Sequence, residues 1–181
     1  MPDLYLPPLC TIHPWSPEAM GPQLNAWNLG ISNGGTGSLA WFRANMALFI
    51  PFKLTNPTTA KQLFIYNGAT ASGNVDVGLY TEAGVRLTSA GSTAQAGTNA
   101  LQVFDIPDVT LGPGRFYLAM ALNNTTGTVF RNTLGNAGQG NYLGMLKQDS
   151  AFPLPATATF ATLGTDSARL PIFGLTTRSL I

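Results

Sequence analysis

Acid–base, nucleophilic and metal chemistry all begin from a short list of side chains, and this chain offers few of them. Its single histidine, His13, stands beside Pro14 in a proline-rich stretch. An imidazole there serves packing or the surface far more often than it serves as a base. The eight carboxylates are Asp3, Glu18, Asp76, Glu82, Asp105, Asp108, Asp149 and Asp166. A glycosidase needs two carboxylates across a scissile bond, and Asp105 and Asp108, flanking Ile106-Pro107, come nearest to a pair. Asp at a strand-end corner more often bonds nearby backbone, and that reading is preferred to a calcium site completed by carbonyl oxygens. The single cysteine, Cys10, excludes an intrachain disulfide framework and a cysteine-based metal site. The glycine clusters around Gly34 and Gly138 fit no phosphate-binding loop, because no GxGxxG opens a helix and no lysine follows. Asn123-Asn124-Thr125-Thr126 spells two glycosylation sequons, which without a secretory signal mark no more than a surface turn. No catalytic residue, cofactor or metal is therefore expected.

Aromatic residues are the remaining lead. Trp15, Trp27 and Trp41 with Tyr66, Tyr80 and Tyr142 have the faces that stack on sugars. All three tryptophans, however, fall in or next to the N-terminal stretch, where they suit docking anchors of an interface better than a glycan platform.

Composition narrows the partners. Of 181 residues 45% are apolar, but only 9% are charged, against roughly 25% in an average soluble protein. With 20 glycines, 13 prolines and a net charge of +1, hydroxyls and amides keep the surface wet, and charge repulsion between copies is weak. A protein that sits in a tight assembly is expected, in preference to a monomer with a neutral surface. The nine Lys and Arg are scattered, which argues against a nucleic-acid partner. No stretch of about 18 apolar residues occurs and no signal peptide opens the chain, so no membrane span is expected.

These residues have to be positioned by extended elements. Residues 1–38 read as an extended, proline-rich N-terminal arm, since Pro2, Pro7, Pro8, Pro14, Pro17 and Pro22 forbid a long helix. Leu4, Tyr5, Leu6, Leu9, Trp15 and Trp27 stud it with apolar anchors. Such an arm lies along its own domain or, the reading preferred here, along a neighbouring subunit. Asn33-Gly34-Gly35-Thr36-Gly37 is its hinge. Residues 39–181 form the body. Apolar alternation over residues 46–54 predicts a strand, with Pro51 marking an edge or a bulge. Residues 62–66 predict a second strand. Residues 74–88 predict a half-buried hairpin, in which Val75, Val77 and Leu79 alternate with Asp76, Gly78 and Tyr80, and Gly84 closes the turn. Residues 100–106 form the next strand and 107–114 turn a corner. Residues 115–122, apolar on both faces, predict a central strand. Residues 128–132, 142–146 and 170–176 add short strands, with a proline-containing extended piece at 152–162. The expected fold is all-β: a single antiparallel β-sandwich, jelly-roll-like or a related Greek key.

The segments VDVGLYTEAGVRL and LGPGRFYLAMALNNTTGTVF resemble a module recurrent in virion proteins of tailed bacteriophages. There a strand ending in Gly-aliphatic-Tyr enters a Glu/Asp-x-Gly hairpin, and an L-x-PG-x-Y/F-Y-L-A segment opens a central strand. The resemblance spans residues 51–131. It implies a small jelly-roll-like sandwich of the fibre, tail, neck or head-decoration type, located in the virion and commonly trimeric. Fibre proteins of that family add shaft or knob segments that this chain lacks, which favours a compact structural component. The expected function is a non-enzymatic virion protein, oligomerising through its sandwich and anchored to other virion proteins through its arm. The alternative is a carbohydrate-binding module for a host glycan, and an enzyme such as a depolymerase ranks third.

Overall fold

A computed structural model describes residues 32–134, 140–141, 143–164 and 169–179. The candidate interface residues Leu4, Tyr5, Leu6, Leu9, Trp15 and Trp27 lie outside these, as do His13, Cys10, Asp166 and Tyr142. The chain is all-β. In order, its strands are β1 (Ser32–Ala40), β2 (Ala47–Leu54), β3 (Thr58–Tyr66), β4 (Asn74–Thr81), β5 (Arg86–Ser89), β6 (Thr93–Ala94), β7 (Leu101–Leu111), β8 (Gly114–Leu122), β9 (Thr128–Leu134), β10 (Leu146–Gln148), β11 (Ala161–Thr162), β12 (Arg169–Pro171) and β13 (Phe173–Thr176).

Among the described residues all pairings are antiparallel, in three sheets. The largest runs β11-β10-β2-β8-β4-β5, with β6 also pairing β4; the others run β1-β9-β12 and β13-β3-β7. The two small sheets are joined through Ile172, whose N–H donates to the Phe130 carbonyl at 2.8 Å and whose carbonyl accepts from Tyr66 N–H at 2.9 Å. One ribbon of chain, β12 then β13, therefore serves β9 with its first half and β3 with its second. The closing strand expected over residues 170–176 is thus split between two sheets.

Alternation along the strands builds the core. On β2, Leu48, Ile50, Phe52 and Leu54 point to the same side as Val77 and Leu79 of β4 and Leu118 and Met120 of β8, and they meet Leu63 and Leu175 from the facing layer. Each such side chain contributes about 1.5–3 kcal/mol by leaving water, which sets the register, since a one-residue slip would turn the whole set outward. Pro51 pairs with Tyr117 of β8, while on the other side β10 reaches only as far as Phe49. Its missing N–H thus falls where the strand has a local edge.

Three sequence expectations need correction. Residues 33–37 are not a hinge: they belong to β1, which pairs with β9. The register shifts between Ser32 and Thr36 and resumes with Gly37 opposite Arg131, where a glycine's backbone donor and acceptor serve a ladder as any residue's do. Residues 107–111 do not turn a corner either. β7 continues to Leu111, and Pro107 is absorbed by a register shift opposite Ala60 and Gln62, so Asp105 and Asp108 sit within an edge strand. Finally, β4 is not half-buried: all six residues from Val75 to Tyr80 are buried, because its second face is covered as well.

Candidate functional site

The cover on that second face is the chemically most distinctive part of the molecule. β10 and β11 pair with each other, Leu146 with Thr162 and Lys147 with Ala161, so residues 149–160 are the long loop of a hairpin. This loop folds back as a strap over the outer face of the large sheet. Beneath it lie Ala47 and Phe49 of β2, Tyr80 of β4, and Tyr117, Ala119 and Ala121 of β8, with Ala151 and Leu154 of the strap among them. Small alanines leave room for an extended chain, and the rings grip it: Phe160 meets Phe49 edge-on at 5.1 Å and Tyr117 in a tilted contact at 4.8 Å.

Polar bonds fix the strap along its path. Ala151 N–H donates to the Asn45 carbonyl at 2.6 Å, the Ala156 carbonyl accepts from Arg86 N–H at 2.9 Å, and Ala158 N–H donates to the Gly84 carbonyl at 2.8 Å. Three side chains of the β4–β5 hairpin complete the hold. Asp76 Oδ2 accepts from Leu154 N–H at 2.9 Å, the Tyr80 hydroxyl donates to the Pro155 carbonyl at 2.6 Å, and Arg86 Nη1 donates to the Leu154 carbonyl. Two glycines make the seat possible. A Cβ at Gly78 would stand 2.8 Å from the Thr88 carbonyl oxygen and 3.0 Å from Leu154 Cδ1, and one at Gly84, where φ is +83°, would stand 2.9 Å from the Ala158 oxygen.

The electrostatics follow from burial. Asp76 is 0% exposed. Loss of water pushes its carboxyl above the ordinary value of 3.8, against the opposing pull of the Leu154 N–H, the Arg86 charge, the Gly91 amide and the Ser89 hydroxyl. Ser89 and Gly91 lie near enough to favour the ionised form, yet Oδ1 itself has no hydrogen-bond partner. Burial raises the Tyr80 phenol as well, so it stays a donor. Asp76 Oδ2, the Tyr80 hydroxyl and Arg86 Nη1 all bond strap backbone. The arrangement holds a chain segment down.

The other sequence candidates are dispersed. Asp108 is engaged by Lys61 at 2.6 Å, Asp149 by Arg43 at 3.6 Å and Glu82 by Arg115 at 3.4 Å, all at the surface. Among the described residues no three acidic, histidine or cysteine side chains gather as a metal site would require. Trp41 is 2% exposed, with Nε1 donating to the Met46 carbonyl at 2.8 Å. Tyr80 lies under the strap, and Tyr66 packs edge-on against Phe130 at 4.9 Å. These three rings are therefore not gathered on one exposed face. Asn124 caps its own turn, its Oδ1 accepting from Thr126 N–H at 2.8 Å and Gly127 N–H at 2.7 Å.

A second polar cluster joins the loops at one end of the sheets. Gln95 Nε2 donates to Asn67 Oδ1 at 2.9 Å and to the Thr128 carbonyl at 2.8 Å, while Asn67 Nδ2 donates to Gln102 Oε1 at 3.0 Å. Its amides are spent on one another and on backbone, which stitches loops together. No helix among the described residues is long and apolar enough to cross a membrane.

Sequence reasoning missed the strap cluster. The available signal was β8, apolar on both faces: a central strand covered twice implies that its neighbour β4 is covered too, and hence that Asp76 is buried. Set against known proteins, the chain matches no family model, no curated protein and no solved structure.

Proposed function

We propose that the chain is a non-enzymatic structural component of a bacteriophage particle, a jelly-roll sandwich that assembles with copies of itself and anchors through its N-terminal arm. The observation that carries this reading is strand order. With the short β6, β10 and β11 set aside, one layer runs β1-β9-β3-β7, with the β12/β13 ribbon between β9 and β3, and the other runs β2-β8-β4-β5. With the two small sheets taken as one layer facing the large sheet, this order is the one a jelly roll would have, an architecture used in viral capsid and lectin domains, and it supports the reading. Support also comes from the charge of +1 and the 9% of charged residues, which suit a surface covered by neighbours. The polar clusters add to this, since their groups bond the protein's own backbone and side chains. Burial of Trp41 and Tyr80 gives a glycan platform less to stand on, so host-sugar binding ranks second.

Light scattering on the purified chain tests the proposal. A stable oligomer, a trimer by preference, is expected, and deleting residues 1–30 weakens either that oligomer or attachment to particles. A monomer that attaches to particles equally well without those residues refutes it, and glycan-array binding by that monomer would move the reading to the lectin side.

A further inference from the structure

The strap is held by a carboxyl group whose burial outweighs the groups that would favour its charge. Asp76 is 0% exposed, one of its oxygens takes the Leu154 N–H, and the other has no partner. The nearest cation, Arg86, gives Nη1 to the Leu154 carbonyl. The groups facing Asp76 can be named element by element: Arg86 and Ser89 on β5, the Gly91 amide beyond it, Tyr80 on its own strand and the Leu154 backbone on the strap. Its partner across β8 is Ala121, which does not titrate. An ionised carboxylate in this place leaves lone pairs of a full charge buried and unsatisfied, whereas a carboxylic acid with its proton on Oδ1 does not.

We propose that closing the strap takes up a proton on Asp76, so that residues 149–160 form an acid-tightened latch over the outer face of the large sheet. With the strap open, Asp76 is wetted and titrates as an ordinary aspartate; with it closed, the carboxyl holds its proton at higher pH. The sign follows by linkage. Below 3.8 both states are protonated and closure is strongest. As pH rises from there to the raised value, closure weakens by up to about tenfold per pH unit, and above it closure levels off. The latch thus loosens toward neutral pH, and the face it releases is the alanine-and-aromatic surface of Phe49, Tyr80, Tyr117, Ala119 and Ala121. This holds whichever assembly the protein belongs to, and so stands apart from the proposed function.

Amide exchange on the full chain tests it. The Leu154 and Ala158 amides report the strap, and the Leu48 and Met120 amides, opposite one another in the paired ladder of β2 and β8, report the body. After correction for intrinsic rates, the ratio of strap to body protection is expected to fall severalfold as pH rises from about 4 and then to flatten. D76N, which keeps an acceptor for Leu154 N–H but cannot ionise, is expected to show a flat ratio. A flat ratio in the wild-type chain, or an unchanged slope in D76N, overturns the proposal. Should D76N fail to fold, carbon NMR of the Asp76 carboxyl in the wild-type chain decides. A midpoint above the ordinary value of 3.8 supports the latch, and one at or below it overturns the latch.

Discussion

Replacing Leu154 by alanine asks whether the strap opens as a unit of its own. Leu154 is 1% exposed and rests on Gly78. The three carbons removed carry about 2.4 kcal/mol of transfer free energy, at ~0.8 kcal/mol for each methylene. A cavity would add to this, but a strap at the surface can settle into the space, so the total stays near the low end of the usual range for Leu→Ala, about 2.5 kcal/mol. If the strap detaches while the sheets remain paired, that loss raises its open fraction on the order of 70-fold. Brief digestion with a broad-specificity protease reads this directly, as the rate of nicking within residues 149–160, provided that reclosing outpaces cleavage. Leu175→Ala supplies the comparison. Leu175 is 0% exposed between the layers, so its loss destabilises the whole protein by a similar amount while the strap-open form still retains that part of the core. Strap nicking is expected to rise in Leu154→Ala alone. Equal acceleration in both variants would refute the reasoning, because it would mean that the strap opens only when the whole molecule unfolds.

Two further outcomes are expected. Gly84→Ala forces a Cβ onto a residue at φ +83° and to 2.9 Å from the Ala158 oxygen. It should cost about 1–3 kcal/mol, seen as a thermal midpoint several degrees lower, whereas Gly91→Ala, at φ +69° with open space around it, should cost less; equal costs would show that the strap does not press on Gly84. Asn67→Ala removes the acceptor for Gln95 Nε2 and a donor to Gln102 Oε1, for a loss of about 1–3 kcal/mol in denaturant titration. A double-mutant cycle with Gln95→Ala should give a coupling of about 0.5 kcal/mol or more, and simple additivity would break up the network.

Much of the body was legible because its signals are local. The 74–88 hairpin rests on an alternation and on Gly84, whose φ is +83°, and the ladder slips by one residue between Leu79 and Tyr80, as a bulged turn requires. The central place of β8 followed from its two apolar faces. What escaped depends on partners distant in sequence. β1 reads as a hinge because strand pairing with β9 uses backbone groups that every residue carries, glycine included. The division of the closing strand at Ile172 is set by which neighbour reaches its N–H and which its carbonyl, and no pattern of side chains encodes that. The strap has no period at all: Pro153 and Pro155 break any alternation, and its bonds go one at a time to Asn45, Asp76, Tyr80, Gly84 and Arg86. Asp76 consequently reads as the polar side of a half-buried strand. The six arm anchors lie outside the described residues, and their role rests on sequence alone.

The strap also bears on how the protein would carry load. Paired strands resist being slid along one another, because many hydrogen bonds share the force, but they yield when peeled apart sideways, one bond after the next. Residues 149–160 run across β2, β8 and β4 and are tied at Asn45 on one flank and at Gly84 and Arg86 on the other. Sideways tension on this sheet therefore meets covalent backbone laid over the ladder, like a tie-bar across planks. Peeling cannot proceed strand by strand until those few ties let go together. For a body built mostly of ladders, that crosswise strip makes the weak direction of the sheet depend on the strap's anchors.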